Sequence, residues 1–548
     1  MTIIKKLFED LSRKQKIAII ISALILSVFI TISFLSQIIL KIAYQKNLFL
    51  LFLVILFYTF ALIINIVGIA LIVKRFSVQV KQIVIKKRRI IFYALPCFAM
   101  FMIFFIARFP AILDFDVYVQ WGLIHSIPMK LSNWHPLIHT MFMKSMTLIW
   151  DSPASIAIFQ DIVTALIIGY SLYRAEVFGV KRLWIWIAAG FMAVNPIIAS
   201  YSNTIWKDTL YADFILLLTV LIVNIYFTRG SWIKSPLNMV FLTVTLFLTA
   251  TFRFNGIISA VLSAIFICTL AFIKYRKYFN RYLLSISIFA IVLWFYSSPL
   301  MHILNVDQPP FANSVGVPLQ IVAGAISDKA DISKEEMDFF NQVITNDGWK
   351  DYNPYVSDYI KSNQYMDYKL LEKEKFKFIK YTFDIAIRNP KSAITAYMKL
   401  NSYLWSVPEL DEASLFREAG RRTVNLRLNE DYYQKTFGYF FKENTGLLNS
   451  LVIKETNLSL QLPFNLIFGN AAFYLYLIVI FLVALCIRDG KKCFRSWFIT
   501  LPVLSNMLGL LIVNVAQQVR YAYSEMLCLP VLLLFLILVN KKQSDNDT

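Results

Sequence analysis

Residues 48–73 read LFLLFLVILFYTFALIINIVGIALIV, an uncharged apolar run that ends at Lys74 and Arg75. About 20 apolar residues are enough for a helix to cross the hydrocarbon core of a bilayer. By that rule the chain holds twelve candidate spans, near 17–40, 48–73, 90–109, 154–177, 183–202, 207–228, 236–252, 256–273, 282–300, 470–487, 497–514 and 522–540. The sequence therefore predicts an all-α polytopic membrane protein with about twelve transmembrane helices.

The composition agrees with this class. Of 548 residues, 58% are hydrophobic and only 16% are charged, whereas a soluble protein carries about 25% charged residues. One large soluble domain and a disordered chain are both excluded.

The formal net charge of +20 is distributed unevenly along the chain. The two termini and alternate loops, such as the run from Lys74 to Arg89, hold 27 Lys and Arg, against eight in the other short loops. Short loops rich in Lys and Arg stay on the cytoplasmic side. The charge is thus a topology signal and an attraction to the lipid bilayer, with no nucleic acid partner. It predicts a bacterial plasma membrane protein with both termini in the cytoplasm.

The spans divide the chain into three regions. Residues 1–300 form an N-terminal transmembrane region of about nine spans, with a first large external loop at 110–153. Residues 301–468 carry 19 Lys and Arg against 21 Asp and Glu, which places them outside as an extracellular helical domain. Ser333 and Glu336 form a capping box there, and Asn389-Pro390 marks a helix start. Residues 469–548 form a C-terminal transmembrane region of about three spans.

Charged residues within the spans point to one polar cavity. An ionisable group costs roughly 2.5–3.5 kcal/mol at the bilayer centre, so its position is informative. With the topology above, all of them lie in or at the outer half of the membrane: Arg108, Asp161, Lys207, Asp208, Asp213, Arg253 and Glu525. The cavity is therefore expected to open outward.

The external loop 110–153 carries the candidate catalytic residues. Asp114 and Asp116 are two positions apart, so in an extended segment both carboxylates face one side. Such a pair can bind a divalent cation, with Mg²⁺ or Mn²⁺ as the candidate cofactors, or one member can act as a general base. A solvated acidic loop is the alternative. His135 is a third catalytic candidate or a structural turn residue, and the neighbouring Tyr118 and Trp134 are supporting candidates.

Cationic residues at three other span ends are candidates for binding a phosphate group. Each also has a simpler interpretation, as a self-neutralising ion pair or as an anchor whose charged end reaches the membrane surface. The cations are Lys207, Arg253 and Arg520, and their supporting residues are Asp208, Asn255, Tyr521 and Glu525. Glu525 is expected to be the internal partner of Arg520.

These features resemble the multi-span glycosyltransferases of the GT-C fold, which use polyprenyl-phosphate sugars, and in detail a Firmicute-type branch of them. The stretches that carry the resemblance are Asp114-Phe-Asp116-Val-Tyr118, Asn133-Trp134-His135-Pro136-Leu137, Asn203-Thr-Ile-Trp-Lys207-Asp208, Arg253-Phe-Asn255-Gly256 and Arg520-Tyr521. The resemblance implies an acidic residue near the reacting centre, here Asp114 or Asp116. It also implies basic residues on the donor phosphate, here Arg253, Lys207 and Arg520.

The chain departs from those relatives, and it lacks the Trp-Trp-Asp signature of oligosaccharyltransferases in its long external segment. The mannosyl- and aminoarabinosyl-transferases show Lys-Pro-Pro-Leu where this sequence has Trp134-His135-Pro136-Leu137. The resemblance implies transfer of a sugar from a polyprenyl-phosphate-linked donor to a cell-envelope glycan or protein acceptor on the outer face. The alternatives are a multi-pass transporter and a lipid-linked glycan flippase or polymerase. A carrier needs a site near the midplane, usually on repeated or broken helices, and the sequence has no evident internal repeat.

Overall fold

The computed structural model describes residues 7–45, 48–361, 364–407, 430–442, 444–461 and 463–539. The described chain is almost entirely helical. Up to residue 295 the α-helices are α1 (Arg13–Gln45), α2 (Leu48–Arg75), α3 (Arg89–Ala107), α4 (Phe115–His125), α5 (Leu137–Thr147), α6 (Pro153–Val177), α7 (Arg182–Val194), α8 (Pro196–Ser202), α9 (Lys207–Phe227), α10 (Pro236–Thr251), α11 (Gly256–Lys274) and α12 (Phe279–Phe295).

The second half continues with shorter helices and then three long ones. They are α13 (Met301–Ile303), α14 (Gly316–Ser327), α15 (Lys334–Val343), α16 (Asn346–Lys350), α17 (Tyr368–Lys373), α18 (Lys375–Arg388), α19 (Pro390–Leu400), α20 (Ser402–Trp405), α21 (Glu430–Phe437), α22 (Leu447–Ser459), α23 (Phe464–Phe468), α24 (Ala471–Asp489), α25 (Phe494–Val513) and α26 (Tyr523–Leu536). Two short parallel strands pair, β1 (Val78–Gln79) and β2 (Leu538–Val539).

Ten helical stretches among the described residues are long and apolar enough to cross a membrane. They are α1 up to its kink at Leu35, α2, α3, α6, α9, α11, α12 with its flanking turns, α24, α25, and α26 with the turn before it. The prediction of a nearly all-α, multi-pass membrane protein is confirmed, with about ten such helices.

The other two candidate spans take different forms. Helices α7 and α8 are apolar enough together but meet at 65°. The break falls at Asn195-Pro196, where proline lacks the N–H that a continuous helix would need. The Asn195 side chain instead accepts a hydrogen bond from the Ile197 N–H at 2.9 Å and caps α8. The other candidate corresponds to α10, which has 16 residues.

Helix α9 lies at the centre of the bundle. Nearly all of its residues are buried, including apolar residues on every side of the helix. A helix that is apolar all round belongs inside a large bundle. By contrast, α2 and the stretch around α12 are mostly exposed and apolar, as lipid-facing helices are. The start of α9 is therefore held firmly by the helices around it.

The bundle has two distinct ends, and α3, α9 and α26 run between them. At one end the chain around β1 contacts the ends of α9 and α26: Gln82 Nε2 donates to Phe227 O at 3.1 Å, and the Val78 N–H donates to Ile537 O at 2.8 Å. At the opposite end lie the segments that follow α3 and precede α9 and α26. These are the segments that carry most of the candidate site residues.

Residues 311–385 build a small core of their own around α14, α15 and α18, with residues such as Leu319, Phe340 and Phe378 fully buried. The predicted capping box of Ser333 and Glu336 is present, and α19 begins at Pro390 as predicted. This segment packs against the loop between α25 and α26, where the Ser357 N–H donates to Val515 O at 2.9 Å.

Candidate active site

Two loops that are distant in sequence are joined by backbone hydrogen bonds at the second end of the bundle. The Ile112 N–H donates to Asn203 O at 3.0 Å, and the Ile205 N–H donates to Ile112 O at 3.2 Å. Gln160 fixes the second loop from α6, since its Nε2 donates to Ser202 O and Thr204 O at 3.0 and 2.9 Å. The residues that follow each loop, from 114 and from 206, are thereby brought side by side.

Asp114 and Asp116 lie at the start of α4. Asp114 is its N-cap, with an extended backbone (φ −134°), and its Oδ1 accepts from the Val117 N–H at 3.1 Å. Asp116 lies in the first helical turn. The two residues do not share one extended segment, because the helix begins between them. Carboxylates are favoured at this position by the partial positive charge of a helix N-terminus.

Arg520 joins the two carboxylates. It lies in a 3₁₀ turn, Val519–Ala522, directly before α26. Its Nη1 is 3.3 Å from Asp114 Oδ2 and 3.2 Å from Asp116 Oδ2. Trp206 completes the arrangement, because its Nε1 donates to Asp114 Oδ2 at 2.5 Å and its ring lies 4.8 Å from the Arg520 guanidinium carbon. The guanidinium is thus held on two sides.

Lys207 and His135 extend this group. Lys207 Nζ is 3.9 Å from Asp116 Oδ2 and 3.2 Å from His135 Nδ1. Burial, and next the charge of Lys207, lower the pKa of His135 to about 4, so the imidazole is neutral at neutral pH. An ammonium group can only donate, so Nδ1 accepts and the proton of the neutral ring is on Nε2. We call Asp114, Asp116, His135, Lys207 and Arg520 the carboxylate–cation cluster.

A second ion pair lies beside the cluster. Arg253 Nη1 is 2.9 Å from Asp208 Oδ1 and donates to Tyr521 O at 3.3 Å. The Tyr521 ring lies 4.6 Å from the Arg253 guanidinium carbon. Asp208 and Tyr521 follow Lys207 and Arg520 directly in sequence. Three cations and three carboxylates from four segments therefore converge at one end of the bundle.

The two carboxylates of the cluster differ electrostatically. Burial and the negative charge of Asp116 raise the pKa of Asp114. Burial also acts to raise the pKa of Asp116, but the charges of Arg520 and Lys207 outweigh it and hold that pKa below its ordinary value. The Asp116 side chain is 29% exposed, against 12% for Asp114. Asp116 is thus the more accessible member of the pair and the one whose charged form is more strongly stabilised.

The carboxylate pair does not fit a divalent cation in this arrangement. Arg520 Nη1 lies within 3.3 Å of an oxygen of each carboxylate. Asp114 Oδ2 also accepts from Trp206, and Asp114 Oδ1 caps α4. A metal ion between the carboxylates would meet the positive guanidinium at close range. We therefore derive no step through Mg²⁺ or Mn²⁺ at Asp114 and Asp116.

Residues 105–548, which include the whole cluster, match a family of unknown function (DUF6020). The chain belongs to this family. No curated protein matches the chain, and no solved structure matches it. The matched region begins inside α3, so α1 and α2 lie outside it while every segment of the cluster lies within it.

The structure places Glu525 away from Arg520, so the predicted pairing of these two residues is wrong. Glu525 Oε1 instead accepts from Asn506 Nδ2 at 2.8 Å. Asn506 Oδ1 accepts from the Tyr211 hydroxyl at 2.8 Å and from Asn255 Nδ2 at 3.1 Å. Asn506 therefore links α9, α11, α25 and α26 beneath Arg253, and both Asn255 and Glu525 belong to this network.

Two other supporting candidates lie outside the cluster. Tyr118 is buried, its hydroxyl accepts from the Phe441 N–H at 3.1 Å, and its carbonyl accepts from the Tyr439 hydroxyl at 2.7 Å. It anchors α4 against residues 437–441. The Trp134 ring remains 47% exposed although it is next to His135.

Sequence reasoning missed Trp206 and Asn506 as site residues. Trp206 directly precedes Lys207 in the candidate stretch 203–208, and an indole N–H needs a hydrogen-bond partner when it is buried. Asn506 interrupts the apolar run of α25, and a buried amide in a membrane helix needs hydrogen-bond partners. Both residues could therefore have been predicted from the sequence around them.

Replacing Asn506 with leucine is expected to destabilise the protein by about 1–3 kcal/mol, since it removes the hydrogen bonds of Asn506 to four buried side chains, those of Tyr211, Asn255, Ser524 and Glu525. The Arg253 segment would also lose support, so turnover should fall. Thermal unfolding of the purified protein measures the first effect. Ser505→Ala is the matched control, because the Ser505 hydroxyl donates only to carbonyls of its own helix. Equal unfolding temperatures for both variants would contradict the role of Asn506.

Proposed function

We propose that this chain is a membrane glycosyltransferase that moves a sugar from a polyprenyl-phosphate-linked donor to a cell-envelope acceptor. The observation that carries the proposal is an accessible carboxylate, Asp116, placed beside Arg520 and Lys207 at one end of a membrane-spanning bundle. A carboxylate can take a proton from an acceptor hydroxyl, and cations can bind a phosphate leaving group. The resemblance to GT-C glycosyltransferases supports the same activity.

The proposed reaction is a single inverting displacement. Asp116 accepts the proton of the acceptor hydroxyl as the hydroxyl oxygen attacks the anomeric carbon. The bond from that carbon to the phosphate oxygen breaks, and its electron pair leaves with the lipid phosphate. Arg520 and Lys207 stabilise the negative charge of the leaving group, with Arg253 next to them. Neutral His135 holds Lys207 in position, which is a positioning role.

Arg520 must exchange partners during this reaction. In the free protein its guanidinium is shared between two carboxylates. A guanidinium has five N–H donors in a fixed plane, so it can keep one carboxylate and still donate to a phosphate. Donor binding would then reduce the positive charge that acts on Asp116. The carboxylate becomes more basic when the substrate is in place.

We also propose the finer topology. The basic loops at the β1 end would be cytoplasmic and the cluster would face outward. The bent pair α7–α8 and the short α10 would complete the ten long helices to twelve spans, and residues 301–468 would form an extracellular domain that helps to select the acceptor. The predicted cytoplasmic termini fall largely on residues 1–6 and 540–548, which lie outside the described residues.

The pH dependence of transfer is expected to differ between kcat/KM and kcat. In the free protein the pKa of Asp116 lies below its ordinary value of 3.8, so Asp116 is ionised at any higher pH and kcat/KM shows no acid limb from it there. Donor phosphate offsets the cations, raises the pKa of Asp116 and gives kcat an acid limb at higher pH. Superimposable acid limbs in the two profiles would contradict this mechanism.

The proposed function is tested by mass spectrometry of envelope glycans after deletion of the gene. One sugar substituent should disappear and should return with the wild-type gene but not with Asp116→Asn. A carrier would instead move a solute across proteoliposomes without forming a glycosidic bond. Unchanged glycans in the deletion strain would refute the proposal.

A further inference from the structure

A cavity with many charged residues in its wall lies at the opposite end of the bundle from the cluster. Its volume is about 490 Å³, and the start of α3, the end of α6 and the start of α7 enclose it. The two sites are separated by roughly 30 Å, the length of α9. The charged residues of its wall are Lys86, Arg88, Arg89, Glu176, Lys181 and Arg182. We call it the basic cavity.

The single carboxylate of the basic cavity is already neutralised. Glu176 Oε1 lies 2.7 Å from Arg182 Nε, and Glu176 Oε2 accepts from the Tyr93 hydroxyl at 2.7 Å. Within the described part of the chain, the four other cations of the wall have no ion-pair partner. The cavity therefore carries an uncompensated positive charge.

Backbone hydrogen bonds hold one wall of the basic cavity in place. The Lys81 N–H donates to Phe178 O at 3.2 Å, and the Ile83 N–H donates to Val177 O at 2.9 Å. Gly179 turns the chain with φ +101°, and a side chain there would be strained and within 3.4 Å of Lys81 N. Helices α3 and α7 both begin at the cavity, and neither has a side-chain cap on its first N–H groups. The first N–H groups of α3 donate to the carbonyls of Lys86, Lys87 and Arg88, so what these helix starts add for an anion is the positive end of the helix dipole.

Exposed apolar side chains lie in the wall of the basic cavity, at Ile83 and Val84, and next to it in sequence. Val84 is fully exposed, and Ile83, Ile91 and Leu183 are 47%, 63% and 67% exposed. Ile91 and Leu183 lie in the first turns of α3 and α7, where those helices enter the apolar part of the bundle. An anionic group bound in the cavity would thus have apolar surface directly beside it. That combination matches a lipid headgroup with its acyl chains against the helices.

We propose that the basic cavity binds the phosphate headgroup of an anionic phospholipid. The leaflet that faces basic loops attracts them through its negative surface charge. Other basic residues at this end are engaged locally: Arg276 lies over the Phe272 ring and Arg281 donates to Lys234 O. The basic cavity differs because its cations surround a concave space. The proposal is independent of the sugar-transfer reaction.

The test is a lipid titration of the purified protein, followed by thermal unfolding. Phosphatidylglycerol should raise the unfolding temperature of the wild type more than phosphatidylcholine does. The variant Lys86→Ala/Arg88→Ala/Lys181→Ala should bind phosphatidylglycerol about 100-fold more weakly, since each cation contributes about fivefold. The control Lys274→Ala/Arg276→Ala/Lys277→Ala removes equal charge from the same end and should keep the wild-type affinity.

Three results of this titration would overturn the proposal. They are equal loss in the cavity variant and the control, equal stabilisation by the two lipids, and stabilisation by inorganic phosphate at the same concentration, which would assign the cavity to a free anion. If the cavity variant does not fold, the salt dependence of lipid stabilisation in the wild type is measured instead. Raising the salt concentration should reduce the rise in unfolding temperature that phosphatidylglycerol causes in the wild type and leave the effect of phosphatidylcholine unchanged. A phosphatidylglycerol effect that does not depend on salt would also overturn the proposal.

Discussion

Asp116→Asn is expected to lower kcat for sugar transfer by about 10²–10⁴-fold, the usual contribution of a general base. Asparagine keeps the size of the side chain but cannot accept the acceptor proton. The donor KM should change little or fall, because removing a negative charge frees Arg520 and Lys207 to bind phosphate. Initial rates with a polyprenyl-phosphate sugar, measured over a range of donor concentrations, separate the two parameters.

Asp151→Asn is the matched control for this variant. Asp151 closes the same external loop, its side chain is 62% exposed, and its Oδ1 lies 2.8 Å from His125 Nε2. It should keep wild-type activity. Asp114→Asn is the informative second variant, because asparagine caps a helix as well as aspartate does and the variant therefore removes the charge of Asp114 while keeping the start of α4. Full activity of Asp116→Asn together with inactive, folded Asp114→Asn would assign the base to Asp114 instead.

Arg520→Gln is expected to have the largest effect on stability. It leaves Asp114 and Asp116 side by side without the cation that joins them, and breaking a buried ion pair costs about 3–5 kcal/mol. The double variant Asp114→Asn/Arg520→Gln removes one charge of each sign and should recover part of that loss. Thermal unfolding of the four proteins gives the coupling energy between the two side chains.

Arg520→Lys separates catalysis from stability. It retains the positive charge but loses the planar fork that reaches both carboxylates and the donor phosphate. We expect kcat to fall by about 10²–10³-fold, the loss seen when one transition-state donor is removed, with a smaller loss of stability than in Arg520→Gln. Arg388→Gln is the control, since Arg388 pairs with Glu336 beside the separate core of residues 311–385. Wild-type turnover by Arg520→Lys would exclude Arg520 from the reaction.

The sequence was sufficient for the architecture because hydrophobic length is a strong signal. Ten of the predicted spans correspond to long apolar helices. The span at 183–202 is bent, since Pro196 breaks the helix and Asn195 caps the next one. The candidate at 236–252 forms a helix of only 16 residues. Hydropathy reports total apolar length and is insensitive to a break in the middle.

The site was harder to predict because side-chain pairing depends on local backbone form. The spacing of Asp114 and Asp116 did not decide between an extended segment and a helix, although an aspartate before an apolar run is a helix N-cap signal. Arg520 and Glu525 are close in sequence, but Arg520 lies in the turn before α26 and faces α4, while Glu525 faces Asn506. The backbone hydrogen bonds between residue 112 and residues 203 and 205 could not be predicted, because they form only once the helices have packed. The positions of the charged residues in the sequence nevertheless predicted at which end of the bundle the site lies.

The most direct test of the central claim is a transfer assay with the purified protein in proteoliposomes. The donor is a polyprenyl-phosphate carrying a radiolabelled sugar, and an extract of envelope glycans supplies the acceptor. We predict that label moves to the acceptor while free polyprenyl phosphate accumulates in equal amount, and that Asp116→Asn abolishes both. As a positive control, cell membranes that contain the protein must transfer label to the same extract. If they do and label stays on the lipid with the purified wild-type protein, the claim is contradicted.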